Sequence, residues 1–193
     1  MLELRRKILH ICTGLIISAL IYLGLLKPWM LIVIILLGFI LSLISARIKL
    51  PFISYMLEMF DRKERIPGKG ALTFIIGITL VWILFYESLD IALASIMILT
   101  FGDAFSSIFS RYLGRIKHPF SDFKLLEGTI AGVIAGVLSA VLFVSFLEAV
   151  TGSLIAMTIE AVGIRLGERI IDDNITIPLS AGLSIFALRI FLG

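Results

Sequence analysis

Apolar and polar residues fall in long blocks along this chain, without the short alternation of a soluble domain. Seven stretches are apolar enough, at or near the roughly 20 residues needed, to cross a bilayer as helices. They are 8–26, 28–46, 71–86, 91–110, 129–147, the shorter 150–164, and 175–192. Pro28 suits the first turn of a helix, and Trp29 suits a membrane interface. Between the second and third stretches, Ile53, Met56, Leu57 and Phe60 recur at helical spacing opposite Ser54, Glu58 and Asp61. That pattern predicts a short amphipathic helix on the membrane surface; the plainer alternative is a solvated loop. The expected fold is all-α, a polytopic membrane bundle of about seven transmembrane helices with one short interfacial helix. A single domain over residues 1–193 is the natural division.

Composition agrees with the pattern. Of 193 residues, 60% are hydrophobic, and the mean hydropathy is +1.12. Cys12 is alone, so no intramolecular disulfide forms, and two histidines with one cysteine are too few for a structural zinc site. Glutamine is absent and Asn174 is the only asparagine, a depletion expected of a heat-stable protein. The net charge of +3 matters less than its placement. With the N-terminus in the cytoplasm and the spans alternating, 15 of the 17 Lys and Arg residues face the cytoplasm, and only Lys27 and Arg189 do not. The Arg5-Arg6-Lys7 start looks like a signal peptide, but the apolar run is long and lacks a small-residue cleavage site. An uncleaved first span is expected.

The unusual residues gather at the ends of these spans on the cytoplasmic side. Asp103 is the only charge in 91–110, at a depth that costs of order 2.5–3.5 kcal/mol unless it is partnered or used. Ser106, Ser107 and Ser110 continue its helix face, a polar stripe turned to a wet cavity or a protein core. Gly68 and Gly70 flank Lys69 just before the third span; bare backbone N–H groups at a helix start bind phosphate, though a simple turn fits equally. Lys124 and Glu127, at i and i+3, can sit together at the start of the fifth span, followed by Gly128 and Thr129. Gly128, Gly132 and Gly136 repeat every four residues, the spacing of close helix packing. Gly152, Ala156, Glu160, Gly163 and Gly167 share a helix face, so Glu160 points into a helix interface. Asp172-Asp173-Asn174 precedes the last span. Such oxygens suit Mg²⁺, which takes one or two carboxylates plus substrate phosphates, and they also suit a helix N-cap. Acids at Asp103, Glu127, Glu160, Asp172 and Asp173, with Lys69 and Lys124, at one membrane face are the equipment of phosphoryl transfer. A site half inside the membrane implies a lipid substrate.

The order of motifs resembles the dolichol kinase family of lipid-alcohol kinases. The matching residues are Arg6-Lys7-x-x-His10 with Gly14, Gly102-Asp103, Lys124-x-x-Glu127-Gly128-Thr129, Glu160, and Asp172-Asp173-Asn174 with Pro178. That family includes phytol and farnesol kinases and a CTP-dependent diacylglycerol kinase; the pattern is also similar to phosphatidate cytidylyltransferases. The resemblance implies a membrane kinase that moves the γ-phosphate of a nucleotide, commonly CTP, to a long-chain alcohol such as dolichol or another polyprenol. It implies Asp103, Asp172, Asp173 and Glu127 as catalytic acids, and Asp103, Asp173 and Glu160 around the Mg²⁺. Lys124, Lys69, Gly68, Gly70, Asn174, Gly128 and Thr129 would hold the nucleotide. Arg6, His10, Ser106 and Ser107 would line the lipid and cytoplasmic mouth. Membrane lipids are expected partners and nucleic acid is not; homo-oligomerisation stays open. A cytidylyltransferase making a CDP-activated lipid is the alternative reading. A transporter or structural membrane protein fits less well, because the charges cluster at one face and no inverted repeat is evident.

Overall fold

The computed structural model describes residues 2–48, 50–60, 66–119, 121, 124–166 and 169–192, with side chains omitted at 58, 165, 166, 169 and 170. Lys49, Asp61, Arg62, Lys63, Arg65 and Gly167, all used above, lie outside the described residues, as does the side chain of Glu58. The helices are α1 (Leu2–Tyr22), α2 (Pro28–Ser45), α3 (Pro51–Phe60), α4 (Lys69–Leu84), α5 (Leu89–Met97), α6 (Asp103–Leu113), α7 (Leu126–Ala140), α8 (Phe146–Val162) and α9 (Asp173–Leu192). A π-helical turn, Ile98–Gly102, joins α5 to α6. A two-residue antiparallel pair, Arg165–Leu166 with Arg169–Ile170, lies between α8 and α9.

The all-helical expectation holds apart from that two-residue pair, but the spans differ in length from the apolar runs. Among the described residues three helices are long and apolar enough to cross a bilayer: Pro28–Ser45, Leu89–Leu113 and Asp173–Leu192. Helices α4 and α7 are apolar but shorter. Helix α7 stops at Ala140, before the expected end at 147, and α8 begins at Phe146. Ser145 ends that turn decisively. Its side chain accepts from the Glu148 N–H while Glu148 accepts from the Ser145 N–H, a capping box. Helix α1 starts earlier than its apolar run and takes in Arg5, Arg6 and Lys7. It ends at Tyr22, and the turn after it is closed by Gly24, whose φ of 68° is the left-handed conformation that glycine adopts without strain.

The segment from α5 to α6 is the axis of the bundle. Ile91 to Met97 are all buried, and α1, α4, α7 and α9 pack around them. Helix α2 packs on α4 and otherwise exposes its apolar side chains; within it only Leu31 and Ser42 are buried. Close approaches are made at glycines. A Cβ on Gly132 would lie 2.5 Å from the Met157 sulfur, and one on Gly136 would lie 2.8 Å from the Ser153 hydroxyl. The 128–132–136 spacing is therefore the seam of α7 against its neighbours. Gly163 does not extend the corresponding face of α8; it is the C-cap, with φ 70°.

Candidate active site

Six separate segments meet at one end of the bundle. They are the start of α1, helix α3, the start of α4, the start of α6, the loop before α7 and the start of α9. Together they enclose a cavity of about 720 Å³. One part of its wall is polar, with Lys7, His10, Asp103, Lys124, Asp172 and Asp173. The other is apolar, with Phe52, Ile53, Met56 and Phe60 from α3 and Phe74 and Ile75 from α4. The amphipathic helix expected around 53–60 is thus present, and it packs against α1 with its apolar face on this cavity.

Asp103 sits at the start of α6, directly after the π turn. Each added residue turns the following helix face by about 100°, and π turns often mark functional sites. The helix continues for eleven residues from Asp103, so Asp103 lies within the span and does not close it. The Lys7 ammonium donates to Asp103 Oδ2 at 2.5 Å. His10 Nε2 lies 3.6 Å from the same oxygen, and its ring packs on Phe74 with centroids 4.0 Å apart. Lys7 and Asp103 are 4% and 7% exposed, so the charges offset one another out of water. Gly14 makes this possible. A Cβ there would lie 2.2 Å from the Thr100 hydroxyl, so only glycine lets α1 lie against the π turn.

A second ion cluster lies across the cavity. The Lys124 ammonium donates to Glu160 and, at 3.2 Å, to Asp173 Oδ2. Glu160, only 1% exposed, also accepts from the Ser106 hydroxyl at 3.1 Å. It stands behind Lys124 and not on the cavity wall. Burial alone would push the Lys124 ammonium down, but the Glu160 and Asp173 carboxylates hold it above its ordinary value. Asp172 caps α9, its Oδ1 accepting from the Asn174 N–H at 3.1 Å. The Asn174 amide then reaches α4, donating to Thr73 Oγ1 at 3.0 Å. The start of α9 is thereby tied to the start of α4.

The polar stripe of α6 divides among three tasks. Ser107 joins Asp103 at the cavity, Ser106 serves Glu160, and Ser110 packs so closely on Gly128 that a Cβ there would lie 1.8 Å from its hydroxyl. Gly128 lies against α6 and Thr129 is buried in α7, both off the cavity wall. Glu127 does not meet Lys124. It accepts from the backbone N–H groups of Arg115 and Ile116 at 2.9 and 3.0 Å, clamping the loop that carries Lys124. Gly68 and Gly70 line the cavity, with Gly68 at φ 72° before α4, whereas the Lys69 side chain is not on its wall. Arg6 lines the mouth and pairs with Glu3 at 2.5 Å.

Lys7 stands inside the Arg6-Lys7-x-x-His10 motif, but the motif reading gave it no role at the site. A signal was available. Lys7, Gly14, Ile17 and Ile21 share the buried face of α1, and a lysine on that face needs a carboxylate. Among the described residues, no group of three or more His, Cys, Asp or Glu side chains is placed to hold a metal ion.

Apolar helices, three of them long enough to cross a bilayer, with a cavity at one end that is polar on one wall and apolar on the other, mark the class as a membrane protein. Comparison with known proteins narrows it. The chain is homologous to the chloroplastic farnesol kinase of Arabidopsis thaliana, at 32% identity over 139 residues, which cover 66% of this chain and 45% of that protein. It is also similar to a probable chloroplastic phytol kinase of Triticum aestivum, at 26% identity over 132 residues, 62% of this chain and 44% of the relative. The chain spans less than half the length of these curated relatives. Both are lipid-alcohol kinases by name, the class that the motif order resembles. No protein-family model matches the chain, and no solved structure does.

Proposed function

We propose that the chain is a membrane kinase that transfers the terminal phosphate of a nucleotide, CTP by resemblance, to the hydroxyl of a long-chain isoprenoid alcohol. The observation that carries this reading is the cavity's divided wall. Ionic groups stand at one side and the apolar faces of α3 and α4 at the other, which suits a substrate with a reactive head and a hydrocarbon tail. In this reading seven helices cross the membrane, α1, α2, α4, α5 with α6, α7, α8 and α9. The N-terminus and the cavity are cytoplasmic, as the distribution of basic residues favours.

The alcohol oxygen attacks the terminal phosphorus while the bridging P–O bond breaks and a nucleoside diphosphate leaves. The hydroxyl proton passes to a carboxylate on the cavity wall. Asp103 suits that role, being held on the cavity wall by Lys7 at Oδ2 and by the Ser107 hydroxyl, 3.5 Å from Oδ1. Lys124, fixed by Glu160 and Asp173, lies where it can neutralise triphosphate charge, and the Gly68–Gly70 turn offers backbone N–H groups at the start of α4. One or two of the cavity-wall carboxylates Asp103, Asp172 and Asp173 would hold a Mg²⁺ of the open kind, with water and phosphate oxygens completing its shell. A bound Mg²⁺ would neutralise charge on the transferring phosphoryl group.

The test is a panel of nucleotides and alcohols presented to the purified protein in detergent, with lipid products identified by mass. A prenyl monophosphate that requires nucleotide and is absent with Asp103→Asn is the expected product. A nucleotidyl-lipid, or no lipid product with any pair, would overturn the reading.

A further inference from the structure

The reaction cavity does not end at α3. A second, smaller cavity of about 180 Å³ lies between α2 and α4. The two share wall residues: Ile53 and Leu57 from α3, Gly68, and Ala71 and Ile75 from α4. Beyond that shared wall the second cavity is lined by Ile34, Gly38 and Leu41 of α2, the least buried of the three long apolar helices. Its polar wall atoms are used internally. The Ser42 hydroxyl donates to the Pro67 carbonyl at 2.6 Å, and the Ser45 hydroxyl donates to the Ser42 carbonyl at 3.0 Å. The surface presented is therefore hydrocarbon, continuous at one end with the ionic site and at the other with the outer face of α2.

We propose that this cleft between α2 and α4, roofed by α3, is the binding groove for the hydrocarbon tail of the alcohol substrate and its lateral route to and from the bilayer. The inference rests on the kinase reading for the identity of the head group. It goes further in assigning the tail to α2 and α4, away from α7, α8 and α9. The continuity of the two cavities commits the groove to this occupant. A tail whose hydroxyl lies at Asp103 has an apolar exit past Ile75, Ala71 and Leu57 toward Gly38. The groove is also a chain-length gauge. A short alcohol is housed within the main cavity, while a long one must run past α2.

Two measurements on the full chain in nanodiscs test this. The first uses a polyprenol carrying a photoreactive diazirine at its far end, followed by peptide mapping, and needs no turnover. Labels on α2 around Ile34–Leu41, or on Leu72, are expected. Labels confined to α7, α8 or α9 would overturn the groove whether or not the protein is a kinase. The second is Ile34→Trp, at a residue that lines only the outer cavity. The ratio of kcat/KM for a long polyprenol to that for a short monoprenol should fall about tenfold or more, as when a pocket loses room for part of a chain. Equal effects on both alcohols, with labels away from α2, would refute the gauge. If no alcohol is phosphorylated, the kinase reading fails alone, and the crosslinks still decide the groove.

Discussion

Gly77 offers a severe test of how the site is held together. It lies in α4, eight residues after Lys69, and a Cβ added there would sit 1.9 Å from the Asn174 carbonyl oxygen. That carbonyl is available because Pro178, four residues on, has no N–H to bond it. Real Cβ atoms do not approach other atoms closer than 3.0 Å, so in Gly77→Ala the first turn of α9 must retreat from α4 by more than about 1 Å, an overpacking that costs about 1–3 kcal/mol in a well-packed interior. The obstacle is backbone, not the end of a flexible side chain, so the upper part of that range applies. The retreat carries Asp172, Asp173 and Asn174 with it and stretches the 3.0 Å bond from Asn174 to Thr73. A misplacement of about 1 Å at a reacting centre reduces turnover by about a hundredfold. Gly70→Ala is the steric control, because its added Cβ meets nothing within 4 Å. Thermal unfolding in detergent should show Gly77→Ala melting well below wild type and Gly70→Ala close to it, with turnover lost in Gly77→Ala even where it is folded. A Gly77→Ala protein with wild-type melting and turnover would refute the proposed junction of α4 and α9.

Asp103→Asn should abolish turnover and also destabilise by about 3–5 kcal/mol, because it strands the buried Lys7 ammonium. Lys7→Met combined with Asp103→Asn should restore the melting temperature but not turnover; a double variant no more stable than the single would break the pairing argument. Lys124→Met should lose turnover and about 3 kcal/mol, the low end for a broken buried pair because the Lys124 side chain is 32% exposed. With its folded pKa raised above the ordinary 10.5, Lys124 stabilises fully below that value and loses its effect only as pH rises through the folded value. Melting of the wild type between neutrality and about pH 9 should therefore show no step that Lys124→Met removes. At the other end of the bundle Arg189 bonds both Glu148 and Asp90 at 2.7 Å. Glu148→Gln should cost about 1–3 kcal/mol at neutral pH while the folded protein turns over normally. Arg189 lies 16 residues along α9 from Asp173, about 24 Å at 1.5 Å per residue.

Much of this architecture is legible in the sequence because helix periodicity and bilayer length are local signals. The isolated charge of Asp103, the small-residue face that sends Glu160 inward, and the period of Gly128, Gly132 and Gly136 each follow from spacing along one helix. Pairings between helices are a different matter. Nothing in the spacing near Lys7 names Asp103 as its partner, 96 residues away. The π turn is invisible in an apolar run, since it changes hydrogen bonding and not composition. Gly77 reads as an ordinary membrane glycine until α9 is placed against it. Glu127 shows the converse error. Its three-residue spacing from Lys124 suggested a pair, but Lys124 lies before the start of α7 in a loop, so the helical rule does not apply and Glu127 binds the loop backbone instead.

The most direct test of the central claim is dual-label transfer. The purified chain in detergent is given an isoprenoid alcohol, Mg²⁺ and CTP labelled either at the γ- or at the α-phosphorus, and the lipid phase is counted. A lipid-alcohol kinase puts only the γ-label into lipid and releases CDP, and Lys124→Met abolishes both. Appearance of the α-label in lipid with pyrophosphate release, or no transfer from CTP or any other nucleotide, would contradict it.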